Sequence, residues 1–570
     1  MNKKQIIRIL EQIALYLEIK GENSFKVSAY RRAAQALESD SRTISEMDDL
    51  SKIKGIGKGT LSVIEEIIET GESSLLEELK EDLPAGLLSL IHLPGLGGKK
   101  IAKLYNELGV TDIRSLKEVC EQNKVQSMQG FGKKTEEKIL AAIEDFGKRP
   151  ERLPIAMMLP IADRIEEQLE LLDGVERYSR AGSVRRYSET IKDIDLIIGT
   201  QVAEKVAPQL EKLENVTEVI ASGTTKVSVV VTYDYDISVD FRLVKPEEFA
   251  STLHHFTGSK EHNVKMRQLA KERSEKISEY GVEDSETGEI KTFETEEAFF
   301  NHFGLEFIPP QVRQGKNELE LFKNKVDYLK LEDIKSDLHM HTTWSDGANS
   351  IEEMAEAARH RGYSHIVITD HSQYLRVANG LTPERIKEQQ EEIRRVNEKW
   401  DDITIFSGIE MDILPDGSLD YDDSLLAELD FVIASIHSSF SQNEEKIMKR
   451  LETAFNNPHV DLIAHPTGRI IGRRNGYPVD FDRLIHMAAE TNTALELNAN
   501  PNRLDLAPRW LEKAQENGVK LSINTDAHVR DTLDHMEIGV CVGQQALLKK
   551  ENVLNAYSLE EFKTFLDRHK

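Results

Sequence analysis

Apolar positions in the first 150 residues recur at helical spacing. In the opening stretch Ile6, Ile7, Leu10, Ile13, Ala14 and Leu17 fall three and four apart, which predicts an amphipathic helix. Three glycine turns punctuate this region: Ile53-Lys54-Gly55-Ile56-Gly57-Lys58, Leu93-Pro94-Gly95-Leu96-Gly97-Gly98-Lys99 and Met128-Gln129-Gly130-Phe131-Gly132-Lys133. From about 151 to 245 the pattern changes, and Asp195-Leu196-Ile197-Ile198 and Lys226-Val227-Ser228-Val229-Val230-Val231 predict strands. Residues 246–313 are mixed, and 314–335 is polar, a linker or connecting helix. After Ser336 short apolar strands alternate with amphipathic helices, the pattern of a parallel α/β barrel. At 570 residues the chain is too long for one core. The fold class is multidomain, α+β followed by α/β, with expected segments 1–85 and 86–150 (helical), 151–245 (strand-rich), 246–313, 314–335 and 336–570.

Charge changes the picture little. A net charge of −27 argues against a wholly basic nucleic-acid footprint. Backbone N–H groups and helix N-termini, however, grip phosphates without basic side chains. The two cysteines, Cys120 and Cys541, stand in no metal-ligand spacing, and ordinary thiols in a reducing compartment are expected. No apolar run is long enough to span a membrane, and the start does not have the form of a signal peptide. A cytoplasmic location, no membrane partner and a monomer are expected.

Each glycine turn has the form apolar-x-Gly-apolar-Gly and precedes a helix. Glycines there permit a tight turn and leave backbone N–H groups open to a phosphate. A single copy is equally a plain helix–helix turn; three copies in one helical region favour DNA-backbone binding through Gly55, Gly57, Gly95, Gly97, Gly130 and Gly132. The pattern resembles the helix-hairpin-helix motif.

The segment from Gly182 to Ile198 carries a second chemistry. Asp193 and Asp195 alternate along a predicted strand, so both carboxylates point to one face. Divalent metals would relieve their repulsion. A third carboxylate, Asp240, lies on a later strand, and Gly182-Ser183 with Arg186 suit triphosphate oxygens. Gly-Ser-x-Arg-Arg, then Asp-x-Asp and a lone Asp, resembles the family X DNA polymerases over about residues 1–313. The resemblance implies that Asp193 and Asp195 hold both metals, Mg²⁺ or Mn²⁺. By the same resemblance Asp240 holds the catalytic one and activates the primer 3′-hydroxyl. It assigns the triphosphate to Arg152, Ser183 and Arg186, and the nucleotide pocket to His255, Phe256, Gly258, Asn263 and Arg267. Two departures stand out. His255 replaces a common Tyr, and Lys260 replaces the family's stacking Asp.

Twelve of the 17 histidines follow Ser336. Six of them, His339, His341, His371, His437, His465 and His528, stand at predicted strand ends, which converge on one face of a barrel. His339, His341, Asp346, His371, Glu410, His437, His465, Asp526 and His528 would be costly together without metal; they suit Zn²⁺ or Mn²⁺, and no thiolate is offered. The predicted sixth strand, Leu495-Glu496-Leu497-Asn498, carries no evident ligand. The spacing resembles the PHP (polymerase and histidinol phosphatase) domain, a distorted (β/α)7 barrel. That resemblance implies three metals: one on His339, His341, Glu410 and Asp526, one on Asp346, His371 and His528, and one on His437 and His465 with Glu410 bridging.

A family X core fused to a PHP domain is similar to a group of bacterial repair polymerases. It implies gap filling in DNA repair by two-metal nucleotidyl transfer, plus a separate 3′–5′ exonuclease, with gapped or primer–template DNA and dNTPs as partners. Two alternatives stay open: a small-molecule phosphatase or other phosphoesterase in the barrel, and a DNA-binding scaffold with a silent polymerase site.

Overall fold

The computed structural model describes residues 3–39, 50–53, 55–71, 73–84, 86–87, 90, 93, 96–145 and 151–569. Gly95 and the boundaries expected at residues 85 and 150 lie outside the described residues. By contacts the chain forms two units: Met1–Arg149 with His341–Met354 and Asp370–Glu392, and Pro150–Met340 with Ala355–Thr369 and Ile393–Lys570.

In the first unit, helix α1 (Lys3–Ile19) buries Ile6, Leu10, Ile13, Ala14 and Leu17, the stripe that the spacing predicts. It packs along α2 (Ser24–Ser39). Helices α3 (Lys58–Thr70), α4 (Gly98–Leu108) and α5 (Lys133–Asp145) each follow one glycine turn. One apolar cluster runs from Ile6 through Ile64, Ile67, Leu104 and Leu116 to Ile143, so the helices before and after residue 85 share a core.

The second unit begins with a five-stranded sheet: β1 (Arg177–Arg180), β2 (Ile194–Gly199), β3 (Val216–Ser222), β4 (Lys226–Thr232) and β5 (Asp236–Val244), in the order β1-β2-β5-β4-β3. Strands β2 and β5 run parallel, and the other pairs antiparallel. Along β5, Ile237, Val239, Phe241 and Leu243 are buried. The period-two alternation turns half-buried Asp240 and Arg242 to the opposite face. Helices Phe249–Thr257 and Lys260–Lys271 follow, with a small antiparallel sheet and a core of Phe299, Phe300 and Phe303. The stretch 314–335, expected as a linker or connecting helix, is packed. Its few apolar residues include Phe322 and Leu329, both fully buried, and Glu318 meets His262 Nδ1 at 2.9 Å.

Seven parallel strands then form a nearly closed barrel in chain order. They are β6 (Ser336–Asp337), β7 (His365–Ile368), β8 (Thr404–Asp412), β9 (Phe431–Ser435), β10 (Leu462–Ile463), β11 (Ala494–Asn498) and β12 (Leu521–Asn524). A parallel bridge between Met340 and Ala527 joins the chain just past β6 to the chain just past β12. No helix among the described residues is long and apolar enough to cross a membrane.

Candidate active sites

Among the described residues, the three glycine turns share one hydrogen bond. In each, the second apolar residue donates its N–H three residues back: Ile56 to Ile53 at 3.1 Å, Leu96 to Leu93 at 3.2 Å, Phe131 to Met128 at 3.0 Å. Gly57 and Gly97 cap their helices at nearly the same angles, φ −97° and ψ 167° against φ −101° and ψ 171°. A Cβ at Gly57, Gly97 or Gly132 would meet nothing within 4 Å, so these sites are open to a close-approaching ligand. Gly55 and Gly130 hold positive φ, 118° and 91°, which makes the turn itself glycine-dependent.

On the five-stranded sheet, Asp195 and Asp240 are register partners of the parallel strands β2 and β5. Asp193 stands just before β2, which begins at Ile194 rather than including Asp193. Burial, then the carboxylates of Asp193 and Asp240, push Asp195 up to about 6. A divalent cation relieves such crowding, and this donor set fits one. Ser228 Oγ donates to Asp240 Oδ1 at 2.6 Å, and Lys226 Nζ lies 3.0 Å from Oδ2.

Gly182 opens the turn facing these acids. Its φ is +59°, and an added Cβ would collide with Asp195 Oδ2. Ser183 is half-buried in the same turn. Arg186 donates to the Thr257 carbonyl, and Arg152 Nε donates to Thr190 Oγ1 at 3.0 Å. Gly258, at φ +70°, would place a Cβ 3.2 Å from Arg186 Nη1. The His255 carbonyl accepts from Asn263 Nδ2 at 2.7 Å, and its ring lies 3.9 Å from Glu279. Burial, reinforced by Arg267, lowers the His255 pKa. The Arg242 guanidinium lies 4.5 Å from the Phe256 ring centre. Lys260 and Arg267 are exposed.

Two sets of contacts hold this region. Glu296 bridges Arg185 at 2.5 Å and Arg313 at 2.7 Å. Burial alone would raise its pKa, but the two guanidinium groups outweigh burial and hold it at about 2. On the barrel side, Gln545 Nε2 donates to the carbonyls of Arg186 and Tyr187 at 3.3 and 3.1 Å. Tyr187 OH lies 3.5 Å from Glu537, and Arg469 pairs with Glu189 at 2.6 Å.

At the barrel mouth, four acidic or imidazole residues stand two positions past a strand end: His339 after β6, His437 after β9, His465 after β10 and Asp526 after β12. Glu410 instead lies within its strand, since β8 continues two residues beyond it. Glu410 Oε1 lies 3.1 Å from His437 Nε2 and 2.9 Å from His465 Nε2. His339 Nε2 lies 3.5 Å from Glu410 Oε2 and 3.7 Å from Asp526 Oδ1. Asp346 Oδ1 lies 4.0 Å from His341 Nδ1 and 3.6 Å from His371 Nε2. Taken unit by unit, these distances gather His341, Asp346 and His371 in the first unit and His339, Glu410, His437, His465 and Asp526 in the second. Atoms sharing one tetrahedral cation at about 2.1 Å stand about 3.4 Å apart, close to several of these separations. Burial opposes a charge on His437, but Glu410 and Asp412 outweigh it and push its pKa up to about 10. The donor set, oxygen and imidazole without thiolate, fits Zn²⁺ or Mn²⁺.

Several residues around these sites carry no motif signal. Ser228 and Lys226 reach Asp240 only through strand register. Asp412 lies 3.3 Å from His437 Nδ1. Asp370 accepts from Thr342, Ser345 and Gln389. Glu496, on the strand without evident ligands, accepts from His339 Nδ1 at 2.7 Å. One signal was available: Glu496 and Asn498 alternate with leucines on a strand that is wholly buried.

Four family models match in succession: a helix-hairpin-helix domain over residues 1–73, a SAM-like helix-hairpin-helix tandem over 87–145, a DNA polymerase beta thumb over 252–314 and a PHP domain over 337–526. The chain is 60% identical over 569 residues to the DNA polymerase/3′-5′ exonuclease PolX of Bacillus subtilis (strain 168), with 100% of both chains covered. A probable phosphatase of Caldanaerobacter subterraneus subsp. tengcongensis is 29% identical over 241 residues, 40% of this chain and 90% of that protein. A probable phosphatase of Thermoanaerobacter sp. (strain X514) is 31% identical over 234 residues, 38% of this chain and 89% of that protein. A match along the whole of both chains, with the carboxylate sheet and the histidine-lined barrel each in place, shows that this chain belongs to the bacterial PolX family of DNA polymerases.

Proposed function

We propose that the chain fills short gaps in DNA at its carboxylate sheet and trims primer 3′ ends at its barrel mouth, as a repair enzyme. The observation that carries the polymerase reading is the pairing of Asp195 with Asp240 in adjacent parallel strands, beneath a turn that only glycine can open. In this reading Asp193, Asp195 and Asp240 hold Mg²⁺ or Mn²⁺, which would neutralise phosphate charge and favour an ionised 3′-hydroxyl. Asp240, oriented by Ser228, takes the primer hydroxyl proton. Arg152, Ser183 and Arg186 bind the triphosphate of an incoming dNTP. His255, Phe256, Gly258, Asn263 and Arg267 line its base and sugar. The open second glycines hold DNA phosphates on either side of the gap. At the barrel, His339, His341, Asp346, His371, Glu410, His437, His465, Asp526 and His528 hold three Mn²⁺ or Zn²⁺ ions, which would polarise a phosphodiester and supply hydroxide.

The test is a labelled primer on a one-nucleotide gap with Mg²⁺ or Mn²⁺, dNTPs added or withheld. Asp193→Ala with Asp195→Ala should abolish extension and leave shortening intact. His339→Ala with His341→Ala should do the reverse. Extension by the first variant at a near-parent rate overturns the sheet assignment. A second reading, phosphatase action at the barrel, has support from the relatives named probable phosphatases, aligned over a stretch about as long as the barrel. Hydrolysis of a phosphate monoester without shortening of 3′ ends would favour it.

A further inference from the structure

Glu496 is an acidic side chain on β11 with no accessible surface. Its neighbours on the same inward face, Asn498, Ser522 and Asn524, are equally buried and neutral. Burying a carboxylate costs several kcal/mol unless donors saturate it. Here four do. Oε1 accepts from His339 Nδ1 at 2.7 Å and Asn524 Nδ2 at 3.0 Å; Oε2 accepts from the His465 backbone N–H at 2.7 Å and Asn498 Nδ2 at 3.3 Å.

Two of those donors belong to candidate metal ligands, and each is fixed in a way that matters for ligation. A carboxylate on Nδ1 requires the proton there. With Nδ1 engaged, Nε2 is the nitrogen left to reach a metal, and it faces Glu410 and Asp526 at 3.5 and 3.7 Å. His465 sits at φ +27°, a conformation a side chain-bearing residue rarely adopts. The bond that its N–H donates to Glu496 holds that conformation, with its Nε2 2.9 Å from Glu410. One carboxylate thus aims two imidazoles at the two oxygens of Glu410.

We infer that Glu496 is a positioning residue that orients His339 and His465 together, so that the metals they hold are loaded as a coupled pair. The inference rests on reading the barrel mouth as a metal centre. A purely structural carboxylate would tie β11 to its neighbours and leave metal affinity alone.

The experiment uses the full chain carrying Asp193→Ala and Asp195→Ala, stripped of metal and titrated with Mn²⁺ by calorimetry. Bound metal per chain is then counted after dialysis. Glu496→Gln keeps the shape but cannot accept from both His339 and His465, because one oxygen becomes a donor. Its affinity should fall about 10- to 100-fold, the usual effect of losing a partner behind a ligand, and fewer ions should survive dialysis. Asn555→Ala is the control. It removes bonds to β12 and to the Ser336 carbonyl, loosening the barrel without touching a ligand, and should stay within about threefold of the parent. Parent-like affinity in Glu496→Gln, or equal loss in Asn555→Ala, overturns the inference. A parent that retains no metal overturns the metal-centre reading itself, and this inference with it.

Discussion

Gly182 is constrained twice, by a positive φ and by the Asp195 carboxylate where its Cβ would be. Gly182→Ala should therefore shift the turn off the acids and lower single-turnover nucleotide addition about 100-fold, the order expected for a displacement near 1 Å. Unchanged addition in a folded variant would show that the turn does not position substrate. Glu296 makes a pH-dependent contribution. Its folded pKa, about 2, lies below the ordinary 4.5. The stability it adds is therefore complete above pH 4.5 and drains as pH falls towards 2. Glu296→Gln should lower stability at pH 7 by about 3 kcal/mol, since the buried Arg313 and the half-buried Arg185 lose their counter-charge. The gap to the parent in urea midpoint should narrow below pH 4.5; a constant gap down to pH 3 would refute the pairing. At this scale the sequence was legible where chemistry sits in a spaced motif, as with Asp193, Asp195 and Asp240. It was silent on Ser228, whose role depends on which residue a neighbouring strand places opposite it, and for Glu496 it offered only the alternation with leucines, not the distant donors that saturate it.

The three glycine turns show what a repeated element discloses and what it hides. Repetition alone marked them, and their shared turn bond follows from one local pattern used three times. Gly57 lies in an extended conformation that any residue can adopt, with open space where a side chain would stand. Gly57→Val should accordingly leave the melting temperature nearly unchanged and weaken DNA binding about uniformly across sequences. It should also flatten the dependence of log Kd on log salt, since a phosphate contact and its released counterion are lost. An unaltered salt slope would assign the turn to helix packing alone. The stretch 314–335 was harder to read. Its composition is polar, yet Phe322 and Leu329 are enough to anchor it, because burial of two side chains needs no periodic pattern.

Across the whole chain, the change of hydrophobic period sets helical, strand-rich and barrel segments in order, and helix-hairpin-helix, thumb and PHP models match in succession on either side of the strand-rich part. If the hairpins grip phosphates and the sheet adds nucleotides, a one-nucleotide gap with a 5′-phosphate should be filled faster than an open primer–template. The preference should fade as salt rises. Equal rates at low salt would detach the hairpins from substrate choice.

Contacts between residues more than 250 positions apart left no trace in the local pattern. Gln545 on the carbonyls of Arg186 and Tyr187, and Arg469 on Glu189, are of this kind. They bear on ancestry. A barrel recruited from a free-standing enzyme would bring its metal ligands but not the side chains that brace a neighbour's nucleotide turn. Such a graft would begin with a slack turn and gain from each bracing residue that later arose. Once those had accumulated, neither half could be exchanged without loosening the other, and the fusion would be passed on as a single heritable piece.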